Sequence, residues 1–160
     1  MTEEELKNAI ETGIEGATAA VRRKGRLVAT VPNSGAVSAL IFLKARGYEH
    51  LSAISCTDWP EEGELELVYH LWSYADKIHL MLKARLPRDD ARAVTASPVF
   101  GHAQTYEREI HEMYGVVFEG NDRLTPFLLE HWEGPPPMRR DFDTRQYVQD
   151  TFDSIPSLEE

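Results

Sequence analysis

Residues 64–86 read ELELVYHLWSYADKIHLMLKARL, and their periodicity decides the fold class. In the first half Leu65, Leu67, Tyr69 and Leu71 recur at every second position. After Tyr74-Ala75-Asp76 the alternation returns more strictly. Ile78, Leu80, Leu82, Ala84 and Leu86 fall on one side, and Lys77, His79, Lys83 and Arg85 on the other. A period of two is that of a strand, whose successive side chains point to opposite faces. The stretch therefore predicts two strands joined by a short turn, in a sheet with one buried face and one wet or partner-facing face.

Upstream, Pro60-Glu-Glu-Gly63 marks a turn, and Leu51–Cys56 reads as a short strand before it. Gly47 closes a helix that Asn33 or Ser34 caps, with Val37, Leu40, Ile41 and Lys44 sharing a face. Arg26–Val31 is a β-branched run ended by Pro32, hence a strand. From Thr2 to about Arg23, Leu6, Ile10, Ile14, Ala17 and Val21 keep helical spacing, although Gly13 and Gly16 weaken it and Gly25 stops it.

Downstream, a Pro87–Pro98 connector leads to a third helix, about Ala103–Tyr114, stopped by Gly115. Its apolar stripe is Tyr106, Ile110, Met113 and Tyr114, which leaves Glu107, Arg108, Glu109 and His111 on the sides and outer face. Val116–Phe118 suits a short strand. Beyond Gly120 periodicity fades among prolines, aromatics and charges, and Pro135-Pro136-Pro137 must be extended. The expected fold is α+β and two-layered, with helices on one face of a mixed, largely antiparallel sheet. Residues 1–120 are expected to form the domain and 121–160 an extended C-terminal arm, either poorly ordered or held only by neighbours when the chain is alone, with a fold-back of part of it onto its own sheet as the alternative.

Composition narrows the function. The chain has 160 residues, 42% hydrophobic and 28% charged, with a net charge of −10. Such an acidic protein repels a phosphate backbone, which argues against nucleic acid as a partner. No apolar run approaches the roughly 20 residues that span a bilayer. The opening MTEEELKNAIE has neither the cationic start nor the apolar run of a secretory signal, so a cytoplasmic location is expected. One cysteine, Cys56, excludes an internal disulfide and an all-cysteine cluster site.

The stretch YEREIHEMYG, residues 106–115, concentrates charge around a histidine–glutamate pair. A zinc-protease helix needs two histidines four apart, but the residue four beyond His111 is Gly115. A di-iron helix needs a glutamate three residues before its histidine, where this chain has Arg108. Glu107 and His111, four apart, could hold a metal between them only with further ligands. The plainer reading is an ion-paired helix face. Phosphate-cradling glycine motifs are absent, and Cys56 reads as a small buried hydrophobe. His70 and His79, on successive strands, lack a third ligand and read as surface or interface residues. No catalytic, cofactor-binding or metal residue is therefore assigned. Arginine, tryptophan and tyrosine anchor interfaces, and the arm carries Trp132, Tyr147, Arg139 and Arg140.

YEREIHEMYGVVFEGNDRL followed by LLEHWEGPPPMRRDFD resembles the signature of the 30 kDa subunit family (the C subunit) of NADH:quinone oxidoreductase, complex I. The matching positions are Glu107, Arg108, Glu109, His111, Tyr114, Gly115, Phe118, Gly120, Trp132, Glu133, Gly134, Arg139, Arg140 and Asp141. The ending PPPMRRDFDTRQYV resembles more closely the equivalent subunit of membrane-bound, energy-converting nickel–iron hydrogenases and their relatives. The resemblance implies a cofactor-free structural subunit that packs on the large subunit holding the quinone or nickel–iron site. It implies a place peripheral to the inner face of the membrane, without insertion. Its partner interface would use Glu107, Arg108, Glu109, His111, Trp132, Arg139, Arg140 and Asp141. The alternative is a small independent metalloenzyme built on Glu107 and His111.

Overall fold

The alternating stretch forms two long antiparallel strands, Glu64–Ser73 and Ile78–Pro87, in the computed structural model, which describes residues 1–152. They stay in register from Glu64 opposite Pro87 to Ser73 opposite Ile78. Around them the chain runs α1 (Glu3–Gly13), β1 (Thr18–Arg23), β2 (Arg26–Pro32), α2 (Ala36–Lys44) and β3 (His50–Trp59). The quoted strands are β4 and β5. After them come β6 (Arg92–Val94), α3 (Ala103–Tyr114), β7 (Val117–Glu119) and α4 (Thr144–Thr151).

The main sheet has the order β1-β2-β5-β4-β3. All its pairs are antiparallel except β2 with β5, which is parallel. Leu65, Leu67, Tyr69 and Leu71 of β4 and Ile78, Leu80, Leu82, Ala84 and Leu86 of β5 all lie in the core, as the alternation requires. Leu6 and Ile10 of α1, Leu40 and Leu43 of α2, and Ala103 and Ile110 of α3 join the same cluster. The helices thus cover one face of a mixed sheet, the expected α+β architecture. The opposite face carries an ion network in which Glu66 holds Lys83 at 2.7 Å and Arg85 at 3.3 Å.

Three local expectations are corrected. The first helix stops at Gly13 rather than near Arg23, and Thr18–Arg23 is a strand paired with β2. Ile14 is already extended and Gly16 sits at φ +71°, a left-handed geometry that turns the chain back along β2. At the other end, Thr2 and Glu5 close a reciprocal capping box. The second correction concerns α2. A 3₁₀ turn over Asn33–Gly35 precedes it and no side chain caps it. Its buried row is Ala36, Ala39, Leu40 and Leu43, while Ile41 is 56% exposed. In a helix that is apolar nearly all round, the two alanines decide the face by letting its backbone approach the sheet. The third lies in the Pro87–Pro98 connector, which contains β6 in a two-stranded parallel pair with β7.

The β3 strand is longer than Leu51–Cys56, and its inward row extends through Ile54, Cys56 and Asp58. Beyond the buried Asn121 the described residues include one further helix, α4, whose start Asp143 caps by accepting from the Gln146 N–H. Residues 153–160 of the arm lie outside the described residues.

Candidate functional site

The residues singled out in the sequence gather where the end of α3 meets the arm. Gly115 terminates the helix at φ +77°, with its N–H on the His111 carbonyl. A side chain there would collide with Pro136 at 2.9 Å, so the proline run can lie across the helix end only over a glycine.

Glu107 is not on the outer face. It is fully buried, and its carboxylate accepts from the Ala96 N–H at 2.7 Å, the Thr95 hydroxyl at 2.6 Å and the Asn121 amide at 2.8 Å. It thereby ties α3 to the chain after β6 and to the turn after β7. Ala103, Glu107 and Ile110 form the buried row of α3. A carboxylate supplied with hydrogen-bond donors can occupy an apolar position, whereas one without them is costly. This corrects the expected orientation.

Its neighbours bind the arm of their own chain. Arg108 donates to the Pro126 carbonyl at 2.8 Å and the Thr125 carbonyl at 3.4 Å, with its guanidinium 4.8 Å from the Phe127 ring centre. Glu112 accepts from three successive backbone N–H groups, those of Phe127, Leu128 and Leu129. Burial opposes its ionisation, but the three N–H groups outweigh it and hold the carboxyl below its ordinary range. His111 donates from Nδ1 to the Val116 carbonyl at 2.7 Å. Its ring lines a cavity of about 490 Å³ with Glu112, His131, Trp132 and Glu133. Glu109 is exposed and makes no ion pair among the described residues.

A second set of contacts holds the MRRD segment. The Arg139 guanidinium donates to the Tyr114 carbonyl at 2.8 Å and the Arg88 carbonyl at 3.1 Å, capping the end of α3. The Arg140 backbone N–H donates to Asp58 at 2.8 Å, while its own side chain makes no ion pair among the described residues. Asp58, 3% exposed, receives Arg88 through both oxygens, at 2.8 and 3.1 Å. Arg88 also reaches Asp141 at 2.5 Å. The Arg88 hydrogen bonds hold the carboxyls of Asp58 and Asp141 below their ordinary range, against the opposing effect of burial. Trp132 donates to the Pro135 carbonyl and packs on Tyr147 and Phe142, with ring centres 4.8 and 5.8 Å away. The expectation that only neighbours hold the arm is therefore corrected, because it is fastened to its own domain at Arg108, Glu112, Tyr114, Arg88 and Asp58.

Among the described residues, no three histidine, cysteine or carboxylate side chains converge as a metal site would require. Glu107 and His111 are each engaged elsewhere, so the proposed metal pair is not assembled. Cys56 is buried, and burial, with Asp58 adding to it, pushes its thiol up to about 12. It is a packed side chain, not a nucleophile. The sequence alone assigns no role to Arg88, Thr95 or Asn121, and none in holding the arm to Asp58 or Glu112. Asp58 was detectable as the continuation of the inward row of β3. Arg88 carries no comparable signal.

Residues 29–148 match the family model of the respiratory-chain NADH dehydrogenase 30 kDa subunit. The chain belongs to that family. It is 41% identical over 97 residues to the C subunit of the F420H2 dehydrogenase of Methanosarcina mazei, covering 60% of this chain and 61% of the relative. It is 34% identical over 134 residues to the C subunit of the NADH-quinone oxidoreductase of Rhizobium johnstonii, covering 81% of this chain and 66% of that one. The chain thus spans roughly two thirds or less of the length of these curated relatives. A chain of the membrane-bound sulfane sulfur reductase, an archaeal respiratory membrane complex, matches at TM-score 0.88 and 37% identity, over 99% of this chain and 95% of that chain. A trypsin-resistant fragment of Nqo5 matches at TM-score 0.61 and 26% identity, over 74% of this chain and 96% of the fragment. These relatives are subunits of multi-subunit respiratory complexes. In this 30 kDa-family chain, the signature residues from Trp132 to Asp141 fasten the arm at the end of α3.

Proposed function

We propose that this chain is a non-catalytic structural subunit, of the 30 kDa type, in a complex I-like respiratory oxidoreductase or a related hydrogenase-type membrane complex. It docks on the large subunit that holds the quinone or nickel–iron site. The observation that carries the reading is the near end-to-end likeness to a chain of an archaeal respiratory membrane complex. No helix of the described residues is long and apolar enough to cross a membrane. Membrane association would therefore come through partners, on the inner face. The chain itself would hold no cofactor.

The docking face we assign is the outer side of the arm and α3. Leu128 and Met138 are each 55% exposed there, and Phe127 is 37% exposed. Exposed apolar side chains near charges that form no ion pair among the described residues, here Glu109, Arg140 and Glu133, have the composition of an interface core and rim. Arg108, Trp132, Arg139 and Asp141 act on this face by fixing the arm's path. Glu107 and His111 act only by holding α3.

Co-expression with the large subunit tests the assignment. Glu109→Lys with Arg140→Glu should leave monomer stability within about 0.5 kcal/mol, as exposed substitutions usually do. The pair should sharply reduce recovery of the complex, because rim charges set association and a like-charge juxtaposition opposes it. Undiminished recovery of the pair, and of Met138→Asp, would show that the partner sits elsewhere.

A further inference from the structure

At the opposite edge of the sheet from α3, one rung crosses the strands with an unusual content. Arg23 of β1 lies opposite Arg26 of β2, Arg26 opposite His79 of β5, and His79 opposite Trp72 of β4. The four line a shallow basin of about 570 Å³ together with Lys24, Gly25 and Lys77. Four permanent cations thus gather in a chain whose net charge is −10.

Among the described residues, Arg23, Lys24, Arg26 and Lys77 form no salt bridge. The nearby acids are engaged, Glu3 by the Gly25 N–H at 2.7 Å and Asp76 by the N-terminal ammonium at 2.6 Å. Like charges directly opposite on paired strands destabilise a sheet. Arg23 facing Arg26 is such a pair. Independently, Nδ1 of His79 is buried with no hydrogen-bond partner, in a lining where every other charged group is a cation. An unused buried polar atom beside unpaired guanidinium groups is a site short of one anion.

We propose that this basin binds a phosphate-bearing anion. Guanidinium forks match the geometry of phosphate oxygens, and Arg23 and Arg26 would engage them in bidentate fashion. Lys24 and Lys77 add point charges from the two flanking turns. The His79 ring closes the floor of the basin, and Trp72 provides a flat wall for the organic part of an ester. The shared chemistry is the phosphate group, from a soluble phosphate compound or from a lipid headgroup. The inference does not rest on the docking reading, because it concerns other strands and other residues.

Two probes on the full chain test it, inorganic pyrophosphate and vesicles of phosphatidylglycerol against phosphatidylcholine. Binding is followed by the side-chain nuclear magnetic resonance signals of Trp72 and His79 and by vesicle co-sedimentation. The variants are Arg23→Ala with Arg26→Ala, and Arg123→Ala as a cation control on the arm. Saturable pyrophosphate shifts, weakened about tenfold or more in the double variant and unchanged in Arg123→Ala, support a soluble ligand, since charged hydrogen bonds contribute on that scale. Retention on phosphatidylglycerol but not phosphatidylcholine vesicles, lost in the double variant, supports a headgroup. The double variant should melt no lower than the wild type, because it relieves the Arg23–Arg26 repulsion. Absence of saturation with both probes, or equal binding by the double variant, would mean an adventitious ion only and would overturn the proposal.

Discussion

Replacing Glu107 should unfold this protein more readily than removing any exposed charge. In Glu107→Ala three donors lose their acceptor at once, namely the Thr95 hydroxyl, the Ala96 N–H and the Asn121 amide. Each buried donor left unsatisfied costs about 1–3 kcal/mol. Water entering the vacated space and the relief of a buried charge offset part of that sum, so the net loss should be about 3–5 kcal/mol. Glu107→Gln keeps the shape but puts an amide NH₂ where an oxygen accepted. If that group takes the Oε2 place, it faces another NH₂ on Asn121, and a loss of about 1–3 kcal/mol is expected. Urea unfolding gives the measurement. For a domain with a slope of about 1–3 kcal/mol/M, the alanine variant should unfold at a midpoint lower by about 1–5 M with the slope unchanged. Hydrogen exchange at Ala96 should rise in parallel. A midpoint equal to wild type, with assembly into a complex lost, would refute the reasoning and return Glu107 to the surface role its sequence context suggested.

Arg139→Ala removes the guanidinium that spans the Tyr114 and Arg88 carbonyls. It should cost about 1–3 kcal/mol and speed hydrogen exchange in the segment 136–142. Unchanged exchange would show that the proline run holds the arm without it. The arm should also loosen in acid. Asp58 and Asp141 titrate below their unfolded values because of Arg88, so their contribution is complete above the ordinary carboxylate pKa of about 3.9 and is lost as pH falls through the folded values. Asp58→Asn should flatten that part of the stability–pH curve, and an unaltered curve would contradict the assignment. Finally, Cys56 should resist thiol reagents at pH 8 until denaturant unfolds the chain, since burial raises its pKa to about 12. Prompt labelling of the native protein would show that β3 opens locally.

The sequence revealed most where a single face of a single element is buried. Strands β4 and β5 alternate because the helices cover only one side of them, and α3 ends where Gly115 must take a left-handed turn. It misled where one pattern fits two structures. Ala17 and Val21 continue the helical spacing of Leu6, Ile10 and Ile14, yet they lie on the far side of a left-handed glycine. Three-residue strands such as β6 and β7 are too short to show a period. The orientation of Glu107 was obscured by its charge, although its spacing from Ala103 and Ile110 is that of a buried row. The path of the arm is illegible for a different reason. Its fasteners are Asp58, Arg88 and backbone carbonyls far away in sequence, and a local pattern does not register such partners.

The one parallel junction of the main sheet, β2 beside β5, has a consequence for how the molecule forms. On one side of it lie β1 and β2, a tight hairpin; on the other lie β3, β4 and β5, each joined to the next by a short turn. Either group can assemble from neighbours along the chain. The seam between them cannot, because Arg26 and His79 meet only after the intervening loop has closed, and that entropy is lost before the contact rewards it. Closure of this seam is therefore the natural bottleneck of folding. Substitutions at Leu27 or Ala29 should slow refolding, whereas comparable changes near the arm should instead hasten unfolding. A nascent chain released before β5 would expose the unpaired edge of β2. The interval between synthesis of β2 and β5 is thus when this protein is most open to mispairing with another chain.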